Sequence, residues 1–310
     1  VLRKTVEFAT PGTRLSVALK QLVVERPDLP KATLPIEDLG VVIVDDVRAS
    51  YTHAVFIELL NAGATLMVTG PDHLPLGLML PLDAHHVQTE RHRAQVEASA
   101  PLKKRLWQQL VRTKIEQQGR MLAHFTGADG GLSAMAARVR SGDTDNLEAQ
   151  AAQRYWPALL GSDFRRDREA DGINALLNYG YAILRAACAR AIVAAGLIPS
   201  LGVFHRNRAN PFCLADDLLE AFRPFADWRV RLICDEAHCA PSLDDRETRK
   251  ALLSVFNETV LCDGRRMPVL VAIETGATSL ARALTGGDRR LSLPESLPLS
   301  PDLLETDGDG

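Results

Sequence analysis

Hydrophobic and polar positions change their rhythm about ninety residues into the chain. Before that point the apolar stretches are short and rich in valine and isoleucine. RLSVALKQLVV and LGVVIVDD are bounded by Pro, Asp and Gly and predict strands. After Asp45 and Asp46, HAVFIELLNAG carries apolar residues near helical spacing and a glycine to stop it. TLMVT then predicts another short strand before the punctuator GPD. This part reads as a small, mainly β domain with one helix, over residues 1–84. The run PLGLMLPLDAHHVQTERHRAQVEA leads out of it, with a polar helix from near Gln88, and residues 85–100 are expected to be a linker.

From Pro101 the spacing is helical. LKKRLWQQLVRTKIEQQGRMLAHF sets Leu106, Leu110, Ile115 and Leu122 close to one stripe, with charge on the remainder. NLEAQAAQRYWPALLG predicts a second helix, stopped at Pro157 or soon after. INALLNYGYAILRAACARAIVAAG is apolar almost all round and ends at Gly196, the pattern of a helix surrounded by others. LADDLLEAFRPFAD predicts a helix ended at Arg223 by Pro224, and RETRKALLSVFNETV and TSLARALTG predict two more. The expected class is α+β: a small β domain, then an all-α domain over 101–293 and an acidic, ragged tail over 294–310.

With 310 residues, 46% of them hydrophobic, the chain can bury a sizeable core. No apolar run reaches the roughly 20 residues that span a bilayer, and the start, VLRKTVEF, does not resemble a secretory signal. A soluble, cytoplasmic protein is expected. The five cysteines form no disulfide framework; Cys234, His238 and Cys239 lack a fourth nearby zinc ligand and read better as thiols in or near the core. No Walker loop or G-x-G-x-x-G supports nucleotide binding. A formal charge of −3 exerts no overall pull on a polyanion, so any DNA contact needs segregated charge. Lys103 to Arg120 holds six basic residues and one acidic, either a solvated helix face or a phosphate track.

Three places put metal-capable groups among apolar neighbours. Glu148 shares a helix face with Ala152 and Tyr155, where an unpaired carboxylate is costly. His205 lies in the turn-rich SLGVFHRNRANPF beside Arg206 and Arg208, which suit phosphate oxygens. Asp217 and Glu220 are three apart, so on one helix they should project together, with Asp216 pointing elsewhere. Two glutamates, an imidazole and a supporting aspartate make a hard donor set suited to Mg²⁺ or Mn²⁺, and hence to phosphoryl chemistry.

The run FRRDREADGINALLNYGYAILRAACARAIVAAGLIPSLGVFHRNRANPFCLADDLLEAFRPFAD resembles the CRISPR adaptation integrases of the Cas-one family. The form is the one that accompanies Cas-nine (type II) systems. EAQAAQRYW, HLPLGLMLPL and PLKKRLWQQLVRTKI extend the likeness over roughly Thr5 to Leu293. The resemblance implies a β-sandwich-like N-terminal domain and a helical domain that holds the metal site of an endonuclease or integrase, with Glu148, His205 and Glu220 as metal ligands and catalytic residues, and Asp217 as a ligand or support. It implies joining of prespacer double-stranded DNA to the leader–repeat of a CRISPR array by attack of a 3′-hydroxyl. It also implies homodimers bridged by a Cas-two dimer, with Cas-nine and an accessory DNA-end-binding protein as helpers. Arg165, Arg166, Arg206 and Arg208 are then candidate phosphate contacts near the site. Lys103, Lys104 and Arg112 become candidates for a more distant backbone track. Tyr179 and the tryptophans are expected to pack.

Overall fold

A computed structural model describes residues 3–236 and 241–298. The N-terminal region contains β1 (Lys4–Phe8), β2 (Arg14–Ala18), β3 (Gln21–Arg26), β4 (Leu29–Pro35), β5 (Leu39–Val44), β6 (Ser50–Tyr51), α1 (His53–Asn61), β7 (Thr65–Thr69) and β8 (Pro75–Met79). They make two four-stranded sheets, ordered β1-β5-β7-β8 and β4-β3-β2-β6. RLSVALKQLVV is two antiparallel strands, because Leu19 and Lys20 turn with positive φ and return the chain on itself.

β5 explains its own composition. All six of its residues are buried, since both faces of its sheet are covered. Val42 and Val44 join Leu15, Leu22 and Leu59 in the core between the sheets, whereas Val41 and Ile43 join the core of the helical region. The sheet is therefore the wall shared by the two parts. Arg249 reinforces that wall: its guanidinium pairs with Glu7 and with Asp45, each at 3.2 Å, and Tyr179 donates to Glu7 at 3.1 Å.

The second region contains α2 (Gln88–Glu97), α3 (Ala100–Thr126), α4 (Leu132–Arg138), α5 (Leu147–Leu160), α6 (Ile173–Ala194), α7 (Cys213–Leu219), α8 (Arg223–Glu236), α9 (Arg246–Leu253), β9 (Thr259–Cys262), β10 (Arg265–Pro268) and α10 (Val269–Leu284). Ser99 caps α3, with Pro101 in its first turn and left-handed Gly127 at its end. α6 is buried around most of its circumference and packs against α7, α8, α10 and the first sheet, as its uniform apolarity predicts.

Two expectations need correction. LADDLLEAFRPFAD is not one helix. α7 stops at Leu219, and Arg223 opens α8 with Pro224 in its first turn, where a missing N–H has no helical partner to lose. RETRKALLSVFNETV is α-helical only to Leu253 and continues as a 3-10 turn over Ser254–Asn257. Thr259 to Cys262 leave as a strand, paired with β10 through a two-residue Asp263–Gly264 turn at positive φ, a sequence suited to tight hairpins. Pro294 to Ser296, assigned above to the tail, bond to β9 through the Cys262–Pro294 bridge and the Glu295 N–H to the Leu261 carbonyl at 2.7 Å. Residues from Leu299 onward, and His238 and Cys239 of the cysteine group, lie outside the described residues.

Candidate active site

Glu148 is set by the entry to α5. Asp143 and Asn146 adopt left-handed φ, and the Asp143 carboxylate accepts the N–H groups of Leu147 and Glu148 at 2.9 and 3.0 Å. That caps the first turn from outside and leaves Glu148 at the positive end of the helix, a favourable place for a carboxylate. Tyr155 is buried on the inner face, while Ala152 and Glu148 border the same small hollow.

The partner of Glu148 is a residue that sequence reading passed over. Lys114, buried on α3, donates to Glu148 and also to Glu220 Oε2 at 2.6 Å. Glu220, in the turn after α7, accepts a second bond at Oε1 from Arg223 Nε at 2.9 Å. Burial opposes its charge, but Arg223 and Lys114 outweigh burial and hold its pKa at about 2, so it is ionised. The same balance governs Lys114: burial disfavours the ammonium, and Glu220 and then Glu148 raise its pKa nonetheless. The available signal was positional. Lys114 is four residues after Leu110, on the stripe that Leu106 and Leu110 bury, where an unpaired charge is costly. Beneath Arg223, 4.5 Å from its guanidinium, lies the Tyr181 ring, whose hydroxyl donates to buried Asp227. Tyr155 donates to the same carboxylate at 3.0 Å, yet burial dominates and pushes the Asp227 pKa up to about 6.

His205 is held differently. Asp217, fully buried, turns away from Glu220 and caps the 203–205 loop. Its Oδ2 accepts the N–H of Val203 at 2.6 Å and of Phe204 at 3.1 Å. Its Oδ1 accepts the His205 N–H at 3.1 Å and pairs with His205 Nδ1 at 2.7 Å. Asp217 and Glu220 therefore do not act on one partner: Asp217 bonds the 203–205 loop, whereas Glu220 bonds Lys114 and Arg223. An ionised carboxylate only accepts, so Nδ1 carries the proton and the neutral imidazole keeps its lone pair on Nε2. The bond to Asp217 raises the His205 pKa against the effect of burial. Gly202 permits this approach: a Cβ there would meet the His205 carbonyl at 2.5 Å and Asp217 Oδ2 at 2.7 Å. Trp107 stacks on Phe204 with centroids 4.0 Å apart and meets the His205 ring edge-on at 5.5 Å, so α3 braces this loop too.

A cleft of about 640 Å³ joins these elements. Its lining includes His205, Asp216, Arg185 and Phe212, together with Arg166, Arg168, Tyr181 and Arg223. The last four also border the hollow that holds Lys114, Glu148 and Glu220. Of the basic candidates, Arg166 stands in the cleft, positioned by Asn174 at 2.9 Å and Asn178 at 2.6 Å. Arg206, Arg208 and Lys103 border an adjoining hollow with His205. Arg165 bonds the carbonyls of its own loop, Arg112 pairs with Glu116 at 2.8 Å, and the Lys104 stem packs beside Gly142. Arg168, Arg185 and Arg223 were not anticipated as basic walls of this cleft.

Among the described residues, no three His, Cys, Asp or Glu side chains are grouped closely enough to hold a metal ion. Glu148 and Glu220 nevertheless converge on one cation, the Lys114 ammonium, and His205 borders the neighbouring cleft with a free imidazole nitrogen. Two carboxylates and an imidazole with a lone pair are donors of the kind a hard divalent cation takes, so the residues fit such an ion chemically. Among the described residues, no helix is long and apolar enough to cross a membrane.

Residues 8–254 match the family model described as CRISPR associated protein Cas1. A "CRISPR-associated endonuclease Cas1" of Neisseria meningitidis serogroup C (strain 8013) is 37% identical over 292 residues, covering 93% of this chain and 95% of that protein. Among solved structures, "Casposase bound to integration product" superposes with TM-score 0.77 at 20% identity, covering 93% of this chain and 92% of the other. A "Cas6-RT-Cas1--Cas2 complex" chain gives TM-score 0.70 at 17% identity, covering 91% of this chain and 35% of the other. With its β-rich beginning, larger helical remainder and this match over most of its length, the chain belongs to the CRISPR-associated Cas1 family.

Proposed function

We propose that the protein is a divalent-metal-dependent DNA integrase, which joins a 3′-hydroxyl of prespacer DNA to a phosphodiester at the leader–repeat boundary of a CRISPR array. The observation that carries this reading is the meeting of Glu148 and Glu220 on a single cation beside the Asp217-oriented His205, in a cleft walled by arginines. Glu148, Glu220 and His205 would hold Mg²⁺ or Mn²⁺, which when bound supplies Lewis acidity toward the phosphate and lowers the pKa of the attacking hydroxyl. Asp217 fixes the imidazole so that Nε2 presents its lone pair. Arg166 and Arg168, with Arg206 and Arg208 on the adjoining hollow, would hold phosphate oxygens and keep the strands in register.

Its partners in this reading are DNA, a second copy of the chain and a Cas2-type protein. The likeness to a chain of the Cas6-RT-Cas1--Cas2 complex supports the Cas2-type partner, and the likeness to the casposase bound to integration product supports the DNA. The motifs of residues 164–227 favour the type II form, with a Cas-nine effector and a DNA-end-binding protein as helpers in the cytoplasm. Lys103, Lys104 and Arg112 would add backbone affinity at a distance.

The test is joining of labelled prespacer to a supercoiled array plasmid with purified Cas2-type partner and Mg²⁺ or Mn²⁺. Glu148→Gln and His205→Ala should fold and bind DNA, yet lose at least about 100-fold in joining, as loss of a transition-state electrostatic contact does. Near-normal joining by either variant refutes the assignment. Cut fragments without joined product would indicate transfer to water by the same groups, as the endonuclease name of the Neisseria relative suggests.

A further inference from the structure

Lys114 is the least expected member of the site. It is a lysine on the buried stripe of α3, 7% exposed, whose ammonium bridges carboxylates carried by α5 and by the turn after α7. Arg223 is already paired with Glu220 Oε1, so Glu220 has cationic partners on both oxygens. Among the described residues Glu148 carries no comparable second partner, and its bond to Lys114 ties the start of α5 to Glu220.

We propose that Lys114 is the built-in counter-ion of the Glu148–Glu220 pair and competes with the divalent cation for it. The ammonium takes the carboxylate oxygens that the cation needs, and like charges in a poorly hydrated hollow repel strongly. Metal loading therefore requires the ammonium to leave. The long lysine stem lets it swing toward the adjoining cleft, where it would face phosphate. In the metal-free protein the same ammonium keeps two nearby carboxylates from repelling each other, so the site stays assembled before metal and DNA arrive. Lys114 is thus a positioning residue that sets the threshold for metal occupancy. This inference rests on the proposal that Glu148 and Glu220 are metal ligands.

The test is Mn²⁺ titration of the full-length protein, followed by electron paramagnetic resonance, with wild type, Lys114→Met, Lys114→Arg and Glu148→Gln. Methionine keeps the length and apolar stem but removes the charge. Lys114→Met should bind Mn²⁺ at least ten-fold more tightly than wild type. Its metal-free melting temperature should fall, and its rise on Mn²⁺ addition should exceed that of wild type. Lys114→Arg should stay near wild type. Equal or weaker Mn²⁺ binding by Lys114→Met, with Glu148→Gln still abolishing binding, overturns the role of Lys114 while leaving the ligand assignment intact. Unchanged binding by Glu148→Gln overturns both. Should Lys114→Met fail to fold, reductive methylation of wild type read by mass spectrometry decides. Lys114 should be protected in the metal-free protein and become reactive with Mg²⁺, and unaltered protection overturns the proposal.

Discussion

Replacing Asp217 with asparagine tests how the site is held, because one fully buried carboxylate satisfies four donors. An asparagine oxygen at the Oδ2 position can still accept from Val203 and Phe204. Its amide nitrogen must then face the His205 N–H and the ring nitrogen Nδ1, and both of those bonds become donor against donor. The imidazole can recover one by moving its proton to Nε2, so that Nδ1 accepts from the amide. The backbone N–H of His205 cannot adapt. One lost hydrogen bond to a charged acceptor is worth about 1.5–3 kcal/mol, and that is the expected loss of folding stability. Function should suffer more than stability, since the tautomer that rescues the loop places a proton where the proposed ligand role of His205 requires a lone pair.

Urea unfolding measures the first effect, and ¹⁵N resonances of the His205 ring identify the tautomer. The pH dependence carries a sign as well. Because Asp217 raises the folded-state pKa of His205, the stabilisation from this pair is complete below the ordinary histidine value and is lost as pH rises through the raised one. The gap between wild type and Asp217→Asn should therefore narrow with rising pH. A variant that keeps Nδ1–H and wild-type stability would refute the account of how His205 is oriented.

Other consequences are equally open to measurement. Gly202→Ala should lose about 1–3 kcal/mol by overcrowding, together with most joining activity, because a Cβ at 2.5 Å from a backbone carbonyl cannot be relieved by a side-chain rotation; wild-type urea midpoints would contradict the close approach. Asp227, raised by burial to about 6, favours the fold while protonated and gives up that advantage as pH rises through this value. Relative to Asp227→Asn, wild type should lose up to about 3 kcal/mol between pH 4 and 7; parallel stability–pH curves would show that Asp227 does not carry this strain.

Much of the fold was legible because it is local. The unbroken apolar run of β5, the all-round apolarity of α6 and the stripe on α3 each state how many faces of an element are covered. Local rules also failed in readable ways. Pro224 reads as a stop after a helical run, yet in a first turn it is a start, and the Asp263–Gly264 hairpin signal is masked by the helical pattern before it. Glu148, His205, Asp217 and Glu220 stood out by residue type and by the apolar company they keep.

What those residues do to one another was not written in any segment. The three-residue spacing of Asp217 and Glu220 implied a shared partner, but their neighbours in space differ, the 203–205 loop for one and Lys114 and Arg223 for the other. Lys114 lies 34 residues from Glu148 and 106 from Glu220. Sequence periodicity determined that this lysine sits on the buried side of its helix. Only the crossing of α3 past α5 and α7 decided which carboxylates neutralise it, because an ion pair depends on separation in space, which helical spacing specifies within one helix and not between helices.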